Sequence, residues 1–209
     1  MSRRNPGWEA RGPKTSQKRA RSACTTFRAL RGEWEDIRAE TQDALTVMTN
    51  AAIEWQTSDD LTLPDGAASA DVREALKRKR LEALKRARGR VDELLADCRD
   101  VRQDFAKLAD VERYFASSIA QYPDAAPLFR SMRWSQFRET FSAATRTYVD
   151  DLTAKEALIE RLRVLVNDGG VVPRDDALAI ISAFALDVSR DDALVEEFDA
   201  LILRGELGS

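Results

Sequence analysis

Few residues of this chain have the type and spacing of a catalytic or metal site. Two adjacent acidic pairs, Asp175-Asp176 and Asp191-Asp192, are of the kind that binds a cation or acts as an acid–base couple. Each pair falls where the first turn of a helix is predicted, and carboxylates at that position interact favourably with the helix dipole. We therefore interpret both pairs as helix-terminal residues.

The chain contains no histidine and only two cysteines, Cys24 and Cys98. Without histidine the commonest general base is absent, together with Ser-His-Asp and Cys-His nucleophile systems and most zinc sites. The cysteines lack metal-ligand and CxxC spacing, so we expect reduced thiols packed as small apolar side chains. The sequence also lacks a phosphate-binding glycine loop. It predicts no enzymatic activity, no cofactor and no small-molecule substrate.

Positive charge is concentrated in residues 73–90, where nine basic residues face only two acidic ones. Such a density can bind phosphates, because each neutralised phosphate releases counterions. However, no aromatic residue is interleaved to stack on bases. A solvated face or a contact with an acidic partner is the favoured interpretation, and nucleic-acid binding is the alternative.

Residues 1–22 form a second basic stretch, with seven basic residues and one acidic residue. Pro and Gly are frequent there, so residues 1–18 are predicted to be a disordered basic leader. Alternatively, the leader is a tethering motif in which Trp8 anchors on a partner. The predicted partner-binding residues of the two stretches are Trp8, Arg73, Lys77, Arg78, Lys79, Arg80, Lys85 and Arg86.

Apolar residues that recur every three or four positions predict five helices. Their ranges are about 19–56, 71–121, 134–167, 174–187 and 190–204. The fold class is all-α: an elongated antiparallel helical bundle built on a long coiled-coil-like hairpin, with a third long helix and two short C-terminal helices. Residues 19–207 are predicted to form a single helical domain.

The predicted core follows the apolar positions of the three long helices. In the first helix a heptad pattern places Phe27, Trp34 and Met48 in one column and Leu30 and Ile37 in the other. The full predicted core is Phe27, Leu30, Trp34, Ile37, Met48, Leu94, Val101, Phe105, Leu108, Trp134, Phe137, Phe141, Tyr148 and Leu162.

No apolar run approaches the roughly 20 residues of a membrane span, and the N-terminus lacks the apolar region of a signal peptide. The chain is therefore expected to act without membrane association. A nuclear location is predicted, with the cytoplasm as a second one.

One further pattern consists of Pro127-Leu128-Phe129, Trp134, Phe137, Glu139, Tyr148, Asp151-Leu152, Lys155 and Leu162, together with Phe27, Trp34 and Glu35 in the first helix. This pattern resembles a known family, the cyclin-dependent kinase 2-interacting proteins (CINP). The resemblance implies a mainly nuclear adaptor without catalytic activity. It further implies partners among replication kinases, checkpoint factors and AAA+ ATPases that act on chromatin and in ribosome maturation.

Three functional hypotheses follow. The first is a helical adaptor or scaffold subunit that docks on other proteins in DNA replication, checkpoint signalling or an AAA+ ATPase complex. The second is a nucleic-acid-binding helical protein that uses residues 73–90. The third is a coiled-coil subunit of a kinetochore-like assembly, in which the apolar seams pair between chains.

Overall fold

A computed structural model describes residues 13–58, 70–121, 132–167, 172–186 and 192–201. Within these ranges the chain forms five α-helices and no strand, which confirms the all-α prediction. The helices are α1 (Pro13–Gln56), α2 (Ala70–Gln121), α3 (Trp134–Asn167), α4 (Arg174–Ala185) and α5 (Asp192–Leu201).

Two helix ends differ from the prediction. The helix α1 begins at Pro13 rather than near residue 19, so residues 13–18 are helical and not part of a disordered leader. Proline is favoured at the first helical position, where no N–H donor is needed and its fixed φ suits the helix. The helix α4 ends at Ala185, because Leu186 is extended (φ −84°, ψ 140°). Trp8 and the predicted bounds of the fifth helix at 190 and 204 lie outside the described residues.

The chain divides into two compact units, whereas the sequence predicted a single helical domain. Unit 1 takes its described residues from the segments Met1–Gly32, Gln103–Val149 and Arg190–Ser209. Unit 2 takes its described residues from Glu33–Arg102 and Asp150–Ser189. Each of the three long helices is divided, with one part in unit 1 and the other part in unit 2.

Burial along α1 keeps one of the two predicted heptad columns, that of Phe27, Trp34, Thr41 and Met48, and departs from the other. The predicted column residue Ile37 is only half-buried, as are Ala44 and Ala51 one and two heptads later. Leu45 and Ala52, each one position further along, are buried instead. A straight helix drifts by about 20° per heptad relative to a 3.5-residue repeat, so the buried positions move by one residue. Ile37 is thus wrong as a core residue.

All the other predicted core residues are buried, with at most 7% of their surface exposed. In α2 and α3 the apolar positions continue without a shift from Leu84 to Phe115 and from Trp134 to Val166. The apolar seams of the long helices are therefore covered within this chain over the part that the structure describes.

Aromatic rings fill the core of unit 1. The ring of Phe27 lies 5.2–6.2 Å, centroid to centroid, from the rings of Phe105, Phe141, Tyr148 and Phe198. Most of these pairs are edge-to-face, the arrangement that the quadrupoles of aromatic rings favour. Phe198 attaches α5 to this cluster, and an ion pair between Arg31 and Asp199 reinforces the contact.

Candidate docking groove and the basic cluster

Two arginines of the predicted basic cluster bind helix ends inside unit 2. The guanidinium of Arg80 donates hydrogen bonds to the carbonyl of Glu54 (2.6 Å) and to the hydroxyl of Ser58 (3.2 Å). The guanidinium of Arg88 donates to the carbonyl of Val166 (2.9 Å). These carbonyls belong to the last turns of α1 and α3, where the helix itself offers no partner.

A third arginine, Arg38 of α1, does the same for α4. Its guanidinium donates to the carbonyl of Ala185, the last residue of that helix, over 3.1 Å. Three helix C-termini of unit 2 are thus bound by cations, which also interact favourably with the negative end of the helix dipole. We call Arg38, Arg80 and Arg88 the arginine caps. They identify Arg80, predicted as partner-binding, as a structural residue.

The remaining residues of the basic cluster lie on exposed faces of α2. Arg78 pairs with Glu74 (3.0 Å) and Lys85 with Glu82 (3.1 Å), in local pairs along the helix. Exposed pairs of this kind contribute little to stability. Arg73 and Lys77 border a recess of about 310 Å³ beside Ser58.

Lys79 and Arg86 are also exposed, and like Arg73 they have no ion-pair or hydrogen-bond partner among the described residues. The cluster of nine basic residues is therefore reduced to a few cations that are available to a ligand.

A buried ion pair in unit 2 was not predicted from the sequence. The amine of Lys155 lies 3.3 Å from a carboxylate oxygen of Asp151, and both side chains are only 2% exposed. The same amine lies 5.7 Å from the ring centroid of Trp34 and 5.6 Å from that of Phe184, within cation–π range. Asp151, Lys155 and Trp34 are all buried in the core of unit 2.

Both thiols are buried and free. Burial raises the pKa of the Cys24 thiol to about 12, although the charge of Arg28 lowers it. Burial likewise raises the pKa of Cys98 to about 12, against a hydrogen bond with Thr41 that lowers it. A thiol with so high a pKa is a poor nucleophile at neutral pH.

The acidic pair Asp175-Asp176 lies in the first turn of α4, where carboxylates complement the helix dipole. The pair at 191 and 192 falls on side chains outside the described part of the chain. Among the side chains that are described, no group of three or more acidic or cysteine residues could hold a metal ion.

An open, mostly apolar groove of about 430 Å³ lies between the first turns of α1 and the second half of α2, within unit 1. It is lined by Arg19, Ser22, Ala23, Thr26, Leu108, Val111 and Tyr114. We call this surface the α1–α2 groove. The sequence did not predict this groove. The apolar repeat of a helix predicts which residues are buried, but it does not predict where two neighbouring helices leave a gap at the surface.

One side of the groove is fixed by a cation–π contact. The guanidinium carbon of Arg19 lies 4.2 Å from the centroid of the Tyr114 ring. The contact covers one face of Tyr114, which among the described residues is the only aromatic one that lines the groove. A positive charge is thereby held at the rim of an apolar surface.

No model of a known protein family matches the chain, and neither does any curated protein or solved structure. None of the described helices is long and apolar enough to cross a bilayer.

Proposed function

We propose that this chain is a non-catalytic helical adaptor that binds other proteins. Following the resemblance to the CINP family, its partners are proposed among replication kinases, checkpoint factors and AAA+ ATPases, and its location is proposed to be the nucleus with the cytoplasm as a second site. The third hypothesis, self-pairing of the seams, loses support because those seams are already covered within the chain.

The observation that carries this proposal is the α1–α2 groove. It is open to the surface, has a volume of about 430 Å³ and is lined mostly by apolar and small side chains. Its two walls are helices, and grooves between helices are a common docking surface for helical segments of partners.

Exposed apolar residues elsewhere provide no comparable surface. The large exposed apolar side chains of the described residues are Val47, Val72, Val164, Leu178 and Leu186, and none of them lines the groove. Single exposed apolar residues are normal on protein surfaces. The groove is therefore the surface on which docking is proposed.

The proposal is tested by affinity purification of the full chain from native cells, with nuclease treatment, followed by mass spectrometry. Each recovered protein is then purified and mixed with the chain in a sedimentation experiment. We expect at least one partner to form a stoichiometric complex without nucleic acid. Recovery that disappears with nuclease, or the lack of any complex from purified components, would refute the adaptor.

The nucleic-acid alternative uses the basic cluster of residues 73–90 and is tested at Arg73, Lys79 and Arg86, which have no ion-pair or hydrogen-bond partner among the described residues. It predicts that a 20-nucleotide single-stranded DNA binds with a steep salt dependence. Replacing these three residues by Ser would then abolish binding. DNA binding that survives the replacement would remove these three residues from consideration.

A further inference from the structure

We infer that the α1–α2 groove binds an acidic amphipathic helix of a partner protein, with apolar side chains in the groove and carboxylates against the start of α1. The inference rests on the proposed adaptor function and deepens it, because it specifies the chemistry of the partner. It requires three properties of the groove: a matching charge, an apolar floor and helical walls.

The first part of α1, which forms one wall of the groove, carries a net positive charge. Residues 13–32 contain six basic residues and no acidic one. Of these six, Arg19 lines the groove and stacks on the Tyr114 ring, and its neighbour Lys18 is exposed with no ion-pair or hydrogen-bond partner among the described residues. A partner that presents carboxylates along this wall would be attracted at long range and aligned in the groove.

The floor of the groove suits apolar anchors. Leu108, Val111 and Ala23 supply its apolar surface, and Ser22 and Thr26 are small residues on the α1 side. Small residues permit close approach of a second backbone. A helix that presents apolar residues at positions i, i+3 or i+4, and i+7 places them in a row that fits such a groove.

A helix fits better than the other occupants. An extended peptide that binds by strand addition needs a sheet edge, and the described part of the chain contains no strand. A polyproline II peptide needs a groove lined by aromatic residues, and Tyr114 alone is aromatic among the described lining residues. Single-stranded nucleic acid would need aromatic faces for base stacking, but Tyr114 already carries Arg19 on one face. The observations therefore favour an acidic helix over nucleic acid.

The test selects binders from a displayed library of random 16-residue peptides against the immobilised full chain. We expect the enriched peptides to be acidic, with Leu, Phe or Trp at helical spacing. Raising NaCl from 50 to 500 mM should weaken their binding several-fold, because the exposed charges are screened.

Two matched variants of α1 locate the binding site. Thr26→Glu adds a negative charge inside the groove, whereas Thr46→Glu adds the same charge at an exposed threonine twenty residues further along the same helix. We expect at least tenfold weaker peptide binding for Thr26→Glu and an unchanged affinity for Thr46→Glu. Ser22→Glu provides a second groove variant in case Thr26→Glu perturbs folding, which circular dichroism would reveal.

The inference is overturned if no peptide is enriched, if the enriched peptides are neutral or basic, or if both Glu variants bind them equally. It is also overturned if a 20-nucleotide single-stranded DNA displaces the peptides at lower concentration than an unlabelled peptide does. A partner complex that forms normally with Thr26→Glu would refute the groove while leaving the adaptor function intact. Loss of every partner complex in the wild-type chain would instead refute the adaptor.

Discussion

Unit 1 and unit 2 use different chemistry to bury the same three long helices. In unit 1, rings of Phe27, Phe105, Phe141, Tyr148 and Phe198 meet at one point. In unit 2, the core contains a buried lysine and aspartate, and arginines bind the ends of three helices.

Further charged contacts join α2 and α3 in unit 2. Arg102 pairs with Glu156 (2.5 Å), Arg99 with Glu160 (2.8 Å) and Arg163 with Asp92 (2.7 Å).

The difference teaches that one apolar repeat can support two kinds of core. Aromatic contacts tolerate a range of angles and depend mainly on buried area. Ion pairs and caps depend on the placement of single atoms, and a buried charge that loses its partner is costly. Unit 1 should therefore respond to lost volume, and unit 2 to lost charge pairing.

Each unit carries its own probe. Cys24 lies in unit 1 and Cys98 in unit 2, and both are buried with a pKa near 12. Because the thiolate is the reactive form, labelling at pH 8 requires the surrounding unit to open. Cys98→Ala leaves only the probe of unit 1, and Cys24→Ala leaves only that of unit 2.

The largest effect is expected for Phe27→Ala in unit 1. Removing a fully buried phenylalanine should lower the free energy of unfolding by about 4 kcal/mol, because the transfer energy is lost and a cavity remains. Urea denaturation measures the total loss, and labelling of Cys24 should accelerate more than that of Cys98. Equal acceleration of both thiols would contradict a separate aromatic core in unit 1.

The next effect is expected for the buried ion pair of unit 2. Lys155→Met removes the cation next to Asp151 and should cost about 3 kcal/mol in urea denaturation, because a carboxylate stays buried without this partner. Here Cys98 should be labelled faster than in the wild-type chain, with Cys24 little affected.

A double variant separates charge from packing at this site. In Asp151→Leu/Lys155→Met both charges are replaced by apolar side chains of similar size, which is often neutral or stabilising. We expect its free energy of unfolding to lie within about 1 kcal/mol of the wild-type value. A double variant as unstable as the single one would show that volume, not charge pairing, matters in unit 2.

The sequence predicts the apolar side of this comparison better than the polar side. The period of the apolar residues predicts α2, α3 and nearly all the core residues, because local sequence determines which face of a helix is apolar. It fails at Ile37, because a 3.5-residue and a 3.6-residue repeat diverge only over several turns.

The polar contacts depend on information that no periodicity carries. Asp151 and Lys155 have the i, i+4 spacing of an ordinary surface pair, and only their place on the buried stripe of α3 distinguishes them. Arg80 and Arg88 bind carbonyls of other helices, and such contacts require knowledge of how the helices pack. The α1–α2 groove was missed for the same reason.

A smaller effect is expected from the arginine caps. Arg88→Gln should lower the free energy of unfolding by about 1–2 kcal/mol, because the carbonyl of Val166 loses a charged donor. The matched variant Arg86→Gln removes an exposed arginine two residues away on the same helix and should change it by less than about 0.5 kcal/mol. Both variants are measured by thermal and urea unfolding. If Arg88→Gln and Arg86→Gln lower the free energy of unfolding equally, the arginine caps contribute no more than any other positive charge on the helix.

The smallest change in the free energy of unfolding is expected for glycine-to-alanine substitutions, which should affect both units alike. Gly32 in unit 1 and Gly89 in unit 2 are exposed helical residues, and a Cβ added at either would meet nothing within 4 Å. Gly32→Ala and Gly89→Ala should each raise the free energy of unfolding by about 0.5–1 kcal/mol, because alanine loses less backbone entropy in a helix. Helix propensity is independent of what the core contains, so the two gains measured in urea should agree. A gain in one unit only would indicate that the units differ in the helices themselves as well as in their buried chemistry.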